Sequence, residues 1–183
     1  MLERTHRRVG GFRVTLATLA LIAVAALPHF AAAQVSVGGY LGGEFDNQNH
    51  WLLYGADVRV PLTTAPATPL IGQARLTYHP YGGGFSILQI DANVLLPLEL
   101  AHPGQFHPYL GAGAAFLHES GGDDSESKVG LNLITGADVD LSPGSPLFGI
   151  VQTQYTIVRE FPNSYTLVFG LGVHLGGSGS KKH

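Results

Sequence analysis

The 183-residue chain has no cysteine. Disulfides are therefore excluded, and so is a lipid-modified cysteine after an export leader. Charge is scarce as well. Only 13% of residues are Asp, Glu, Lys or Arg, about half the share usual for a soluble domain, roughly a quarter. Lys128, Lys181 and Lys182 are the only lysines. No basic patch exists to neutralise phosphates, which argues against a nucleic-acid partner and against a polybasic membrane-surface binder. No apolar run is long enough for a membrane-spanning helix. The longest, Val14 to Leu27, covers roughly fourteen residues where about twenty are needed. Beyond that run no segment keeps a helical period.

What is present begins with a leader. Arg4, Arg7, Arg8 and Arg13 precede the apolar run, and Pro28 and Ala31-Ala32-Ala33 follow it. A basic start, a short apolar core and an A-x-A end describe a secretory signal peptide, with cleavage expected before Gln34. The expected organisation is residues 1–33 as signal peptide, 34–175 as one β domain and 176–183 as a flexible tail. Without the leader, six Lys+Arg face twelve Asp+Glu, a net charge of about −6.

The remainder reads as about eight long strands. They start near Gln34, Trp51, Pro69, Phe85, Phe106, Lys128, Pro146 and Ser164. Each runs about ten to fourteen residues, against about nine to eleven for a tilted transmembrane strand. Alternation sorts the side chains into two faces. Leu52, Tyr54, Ala56, Val58 and Val60 oppose Asp57 and Arg59; Leu76 and Tyr78 oppose Gln73, Arg75 and Thr77; Leu88, Ile90 and Val94 oppose Gln89, Asp91 and Asn93. Leu131, Leu133, Ala137 and Val139 oppose Asn132, Asp138 and Asp140; Val151, Tyr155 and Ile157 oppose Gln152, Gln154 and Thr156. Phe106 to Glu119 carries Leu110, Ala112, Ala114 and Phe116 on one phase and Tyr109, Gly111 and Gly113 on the other, as a crowded concave wall requires. The glycine-rich first strand leaves its phase open.

Two architectures share this alternation. A soluble barrel puts aliphatics inside and binds an apolar ligand; a membrane barrel puts aliphatics against lipid and polar groups in the lumen. The polar phase is rich in Gly, Asn and Gln and poor in Lys and Glu, unlike a solvated exterior. Trp51, Tyr54, Tyr78, Tyr155, Phe161 and Tyr165 lie towards strand ends, as interfacial girdles do. The expected fold is therefore an all-β, eight-stranded, antiparallel, up-and-down transmembrane β-barrel. Its termini and the connections TTAPAT, ELAHPGQ and SPGS should face the periplasm.

The runs HPYLGAGAAF, VSVGGYLGGEF and YTLVFGLGVHL resemble the outer-membrane protein β-barrel family, the group of OmpA-, OmpX- and opacity-type barrels. The resemblance covers nearly all of the chain after the leader and rests on glycine and aromatic periodicity. It implies a monomer in the cell outer membrane, in contact with outer-membrane lipid and lipopolysaccharide. It also implies insertion by the outer-membrane assembly machinery through the last strand. Gly170 to Leu175 fits the insertion pattern, with Phe169, Gly170, Val173 and Leu175 as its residues. The usual terminal aromatic is missing, and GGSGSKKH follows.

The candidate site is the lumen: Asp57, Arg59, Gln73, Arg75, Gln89, Asp91, Asn93, Asn132, Asp138, Asp140, Gln152 and Gln154. A barrel of eight strands is just wide enough for side chains to fill it. Asp57, Arg75 and Asp91 are expected to meet on adjacent strands as an ion-paired plug, so that Arg75→Ala would strand buried carboxylates. A narrow, cation-preferring channel is the alternative. The acidic segment Glu119 to Ser127 reads as a loop whose spacing matches no EF-hand. His118-Glu119-Ser120 invites a lipid-modifying enzyme, but neighbours on a strand point to opposite faces and form no relay. The histidines lack metal-ligand spacing. The sequence thus leads to a structural or surface-interaction role with no catalytic residue, metal or cofactor.

Overall fold

The computed structural model describes residues 35–45, 50–63, 69–100, 104–121, 124–159 and 163–175. The expected leader, the expected tail and Phe161 lie outside them. Eight strands follow in order: β1 Val35–Phe45, β2 His50–Pro61, β3 Ile71–Gly82, β4 Phe85–Pro97, β5 Phe106–Gly121, β6 Asp124–Asp140, β7 Leu147–Val158 and β8 Ser164–Leu175. Each pairs antiparallel with the next, and β8 closes on β1 from Val35↔Leu175 to Phe45↔Tyr165. The fold class is the expected one, an up-and-down barrel with no free edge along its closed wall.

The expected phases hold through the wall. Leu41, Leu52, Leu131 and Leu171 point outward and are each more than 60% exposed. Soluble monomers rarely expose contiguous apolar patches above a few hundred Å². An apolar girth around a closed ladder is what lipid demands, because every backbone polar group is satisfied within the wall. The ambiguous first strand is settled by its neighbours: Ser36, Tyr40 and Glu44 are buried, while Val37, Leu41 and Phe45 are exposed.

Two features differ from expectation, and a third, the glycine turn between β3 and β4, follows it. Trp51 turns to the inner side and meets Tyr81 edge-on at 5.2 Å, so it is not part of the outer girdle. Tyr54, Tyr155 and Tyr165 do face outward. The segment from Glu119 to Ser127 is largely not a loop. β5 and β6 continue as a paired ribbon through Glu119↔Glu126 and Gly121↔Asp124, whereas β6 joins β7 only from Gly130↔Val158. Its charges are partly neutralised by Lys128, 3.1 Å from Glu126 and 3.5 Å from the inward Glu119. Finally, β3 and β4 meet through Gly82, Gly83 and Gly84, all at positive φ. Only glycine adopts three such residues in succession without strain.

Candidate functional site

The inward face of each strand is layered along the barrel axis. On β4 the successive inward residues are Ile87, Gln89, Asp91, Asn93 and Leu95, all buried. On β7 they are Phe148, Ile150, Gln152, Gln154, Thr156 and Val158. On these two strands a polar middle is thus bounded by apolar positions on both sides. Towards the β1-start and β8-end rim, Leu95, Tyr109 and Ile134 cluster. Towards the opposite rim lie Ile87, Ala115, Leu117 and Val158, with Leu53 and Val168 beside them. The sequence reading named the polar members and missed these apolar ones. Their signal was present: they share the phase of Gln89, Gln152 and their neighbours.

In the polar middle, Arg59 is the main carboxylate binder. Its Nε donates to Asp57 Oδ2 at 2.8 Å, and its Nη1 lies 2.8 Å from both oxygens of Asp138. The guanidinium lies 5.3 Å from the Tyr109 ring centroid and 5.9 Å from that of Phe148. A planar cation suits this place because it bonds at its edge and stacks on its face. Glycine makes the room: a Cβ at Gly172 would overlap the Phe148 ring, and one at Gly136 would lie 2.7 Å from the Tyr109 ring.

The expected Asp57–Arg75–Asp91 cluster does not form. The register does set Arg75 opposite both aspartates. Its Nη1 nevertheless donates to Gln154 Oε1 at 2.9 Å and its Nε to Tyr40 Oη at 3.3 Å, and the guanidinium stacks 4.4 Å over the Tyr40 ring. Asp91 is served by amides instead: Gln89 at 2.7 Å, Asn132 at 2.9 Å and Gln154 at 3.4 Å. Cross-strand neighbours share a height on the wall, but long side chains reach across the lumen to partners on the opposite wall.

The amides link the two arginine centres. Gln73 Nε2 donates to Asp57 at 2.6 Å and to Gln152 at 3.2 Å, and Gln73 Oε1 accepts from Asn93 Nδ2 at 3.1 Å. Asn132 Nδ2 also reaches Asn93, and Thr156 donates to Asn132. Tyr109 Oη donates to Gln152 at 3.0 Å, and Tyr40 Oη lies 2.7 Å from Thr77 Oγ1. Eleven of the twelve sequence-named residues thus join this web. Asp140 does not; it sits at the rim, exposed, 3.1 Å from His107 Nε2. Tyr40 and Tyr109 belong to the web too; Tyr109 lies on the concave face expected for it, and Tyr40 falls on the strand whose phase the sequence left open. An aromatic with a hydroxyl tip on the polar phase was their signal.

Two further pairs escaped the sequence. Ser36 Oγ lies 2.7 Å from His174 Nδ1, joined by β1–β8 closure and 138 residues apart in sequence. Near the opposite rim, His79 Nδ1 lies 2.7 Å from Glu44 Oε2, which also accepts from Tyr81. On the outer face, His118 Nδ1 lies 3.0 Å from Ser127 Oγ on β6. Adjacency in His118-Glu119-Ser120 is therefore not what matters: Glu119 turns inward, and His118 meets a serine from the next strand. The last-strand residues divide by phase, with Phe169 and Leu175 exposed and Gly170 against the backbone of Gly39 and Tyr40. Among the described residues no three His, Asp or Glu side chains converge as a metal site.

A closed eight-stranded barrel with an apolar girth and a polar interior is a transmembrane barrel of the outer-membrane type. Comparison with solved structures agrees. The N-terminal β-barrel domain of Pseudomonas aeruginosa OprF aligns over 78% of this chain and 97% of its own, with TM-score 0.57 and 16% identity. Neisserial surface protein A aligns over 79% and 97%, with TM-score 0.55 and 14% identity. The outer-membrane enzyme PagL aligns over 76% and 99%, with TM-score 0.51 and 13% identity. These likenesses establish a shared fold. No family model matches the chain, and no curated protein matches it in sequence.

Proposed function

We propose that this protein is a monomeric outer-membrane barrel with a structural or surface-interaction role, non-enzymatic and closed to solutes. It is delivered by a cleaved leader, inserted by the outer-membrane assembly machinery through Phe169, Gly170, Val173 and Leu175, and seated in lipid and lipopolysaccharide. The termini and the Ser36–His174 rim face the periplasm, and the β5–β6 ribbon stands outside. The observation that carries the reading is the layered lumen. Ions crossing it would have to displace the bonds of Arg59 and Arg75 and pass the apolar clusters of Leu95, Tyr109 and Ile134 and of Ile87, Ala115, Leu117 and Val158. Planar-bilayer recording tests this against the narrow channel: no unitary conductance is expected, and a reproducible cation-selective step would overturn closure.

A second reading, a lipid-modifying enzyme, is favoured by one observation: the His118–Ser127 pair on the outward face, where a lipid ester could approach. A fold shared with PagL makes the chemistry compatible with the scaffold. Mass spectrometry of lipid A and phospholipids from expressing cells separates the two. The first reading predicts unchanged acyl chains. Loss of one chain, abolished by His118→Ala, would replace it.

A further inference from the structure

A recess of about 250 Å³ opens at the rim where β1 begins and β8 ends. Ser36, Arg59, Asp138 and His174 supply its polar wall, and Pro61 and Ile71 its apolar one. Charge around Arg59 does not balance once the buried Asp57 behind the wall is included. Arg59 is the wall's one fixed cation, and it faces both Asp57 and Asp138. Asp140, two residues beyond Asp138, adds a further carboxylate at the rim. Hydrogen-bonding capacity is left over as well. Both oxygens of Asp138 share a single Nη1 donor, so each keeps lone pairs free. The side chain of Asp138 is 20% exposed, so a ligand can reach it from the recess.

We propose that this recess binds a primary ammonium on a short aliphatic chain. The ammonium docks on Asp138, taking up its free lone pairs and the surplus negative charge. Ser36 and His174, already paired at 2.7 Å, form the polar side of the opening. The methylenes lie along Pro61 and Ile71. An anion is disfavoured because Arg59 is already shared between two carboxylates. A neutral alcohol of the same shape gains the apolar contact without the charge-assisted bond.

The test uses the full chain folded in detergent micelles, with Ile71 methyl signals followed by NMR. Titrants are 1,4-diaminobutane, n-butanol and butyrate. Saturable shifts with the diamine on the order of millimolar are expected for so small a ligand, with butanol and butyrate at least about tenfold weaker. Asp138→Asn should weaken the diamine by about tenfold or more, while the exposed Asp140→Asn stays within about twofold. Should Asp138→Asn not fold, Ile71→Trp read by Ser36 and Val60 amide signals serves instead, since it fills the recess and leaves the carboxylate in place. Butyrate binding as tightly as the diamine, or diamine affinity unchanged in Ile71→Trp, would overturn the proposal. Free diamine and a lipid ethanolamine headgroup offer the same ammonium. Phosphoethanolamine as a further titrant separates them: equal affinity assigns the headgroup, and tenfold weaker binding assigns the free amine.

Discussion

At the residue scale, the two arginines of the lumen are not equivalent, although the sequence presents them alike. Arg59 holds two carboxylates; Arg75 holds an amide oxygen, a phenol and a ring face. Removing Arg59 leaves the buried Asp57 and the half-buried Asp138 without a counter-charge, whereas removing Arg75 leaves neutral acceptors. Arg59→Leu should therefore cost about 3–5 kcal/mol and Arg75→Ala about 1–3 kcal/mol. Urea unfolding of the folded barrel, read by boiled and unboiled gel mobility, gives the order. A larger loss at Arg75 would contradict this assignment. Two glycines make a similar pair, Gly172 facing the lumen and Gly39 on the outward face of β1. A Cβ at Gly172 would overlap the Phe148 ring, while at Gly39 the nearest atom is 4.0 Å away. Gly172→Ala should lose about 1–3 kcal/mol from overpacking, and Gly39→Ala almost nothing, in the same assay.

At the element scale, the β5–β6 ribbon rises beyond the closed wall on its β6 side, while β5 stays paired with β4 as far as Phe85↔Gly121. β6 leaves β7 at Gly130 but stays paired with β5 to Asp124. Its outer residues Ser125, Glu126 and Ser127 are exposed, so it contributes little to the packed lumen. Replacing residues 120–125 by Asn-Gly, which joins the facing Glu119 and Glu126 through a two-residue turn, should leave stability within about 0.5 kcal/mol. A collapse of folding would mean that the ribbon nucleates the barrel. Sequence reading placed a loop here because Gly, Asp and Ser are weak strand formers. Pairing with β5 overrides that local preference, since the ladder supplies the hydrogen bonds that the side chains do not favour.

At the scale of the whole molecule, the barrel is inside out relative to a soluble protein: its large apolar side chains face outward and its charges are enclosed. The folded chain should need detergent or lipid, and should migrate differently on gels before and after boiling, because the closed ladder resists SDS until heated. A species that stays soluble and monomeric without detergent would reverse the assignment of its faces.

The sequence by itself determined the number of strands, the length of those other than β5 and β6, and the face of nearly every residue. A period of two is local, and one glance at neighbours two apart assigns a side chain to lipid or lumen. It also determined that the lumen would be polar, from Asp57 through Gln154. Only the tertiary structure decided who meets whom. Arg59 and Asp138 lie 79 residues apart, and Ser36 and His174 lie 138 apart. Such partners depend on barrel closure and on how far each strand is staggered against the next, a sum over all eight pairings that no local pattern carries. The same sum turned Arg75 from the aspartates beside it to the glutamine across the lumen, whereas the register of the β5–β6 pair alone placed His118 beside Ser127. Face is a property of the strand, whereas partnership is a property of the closed ring.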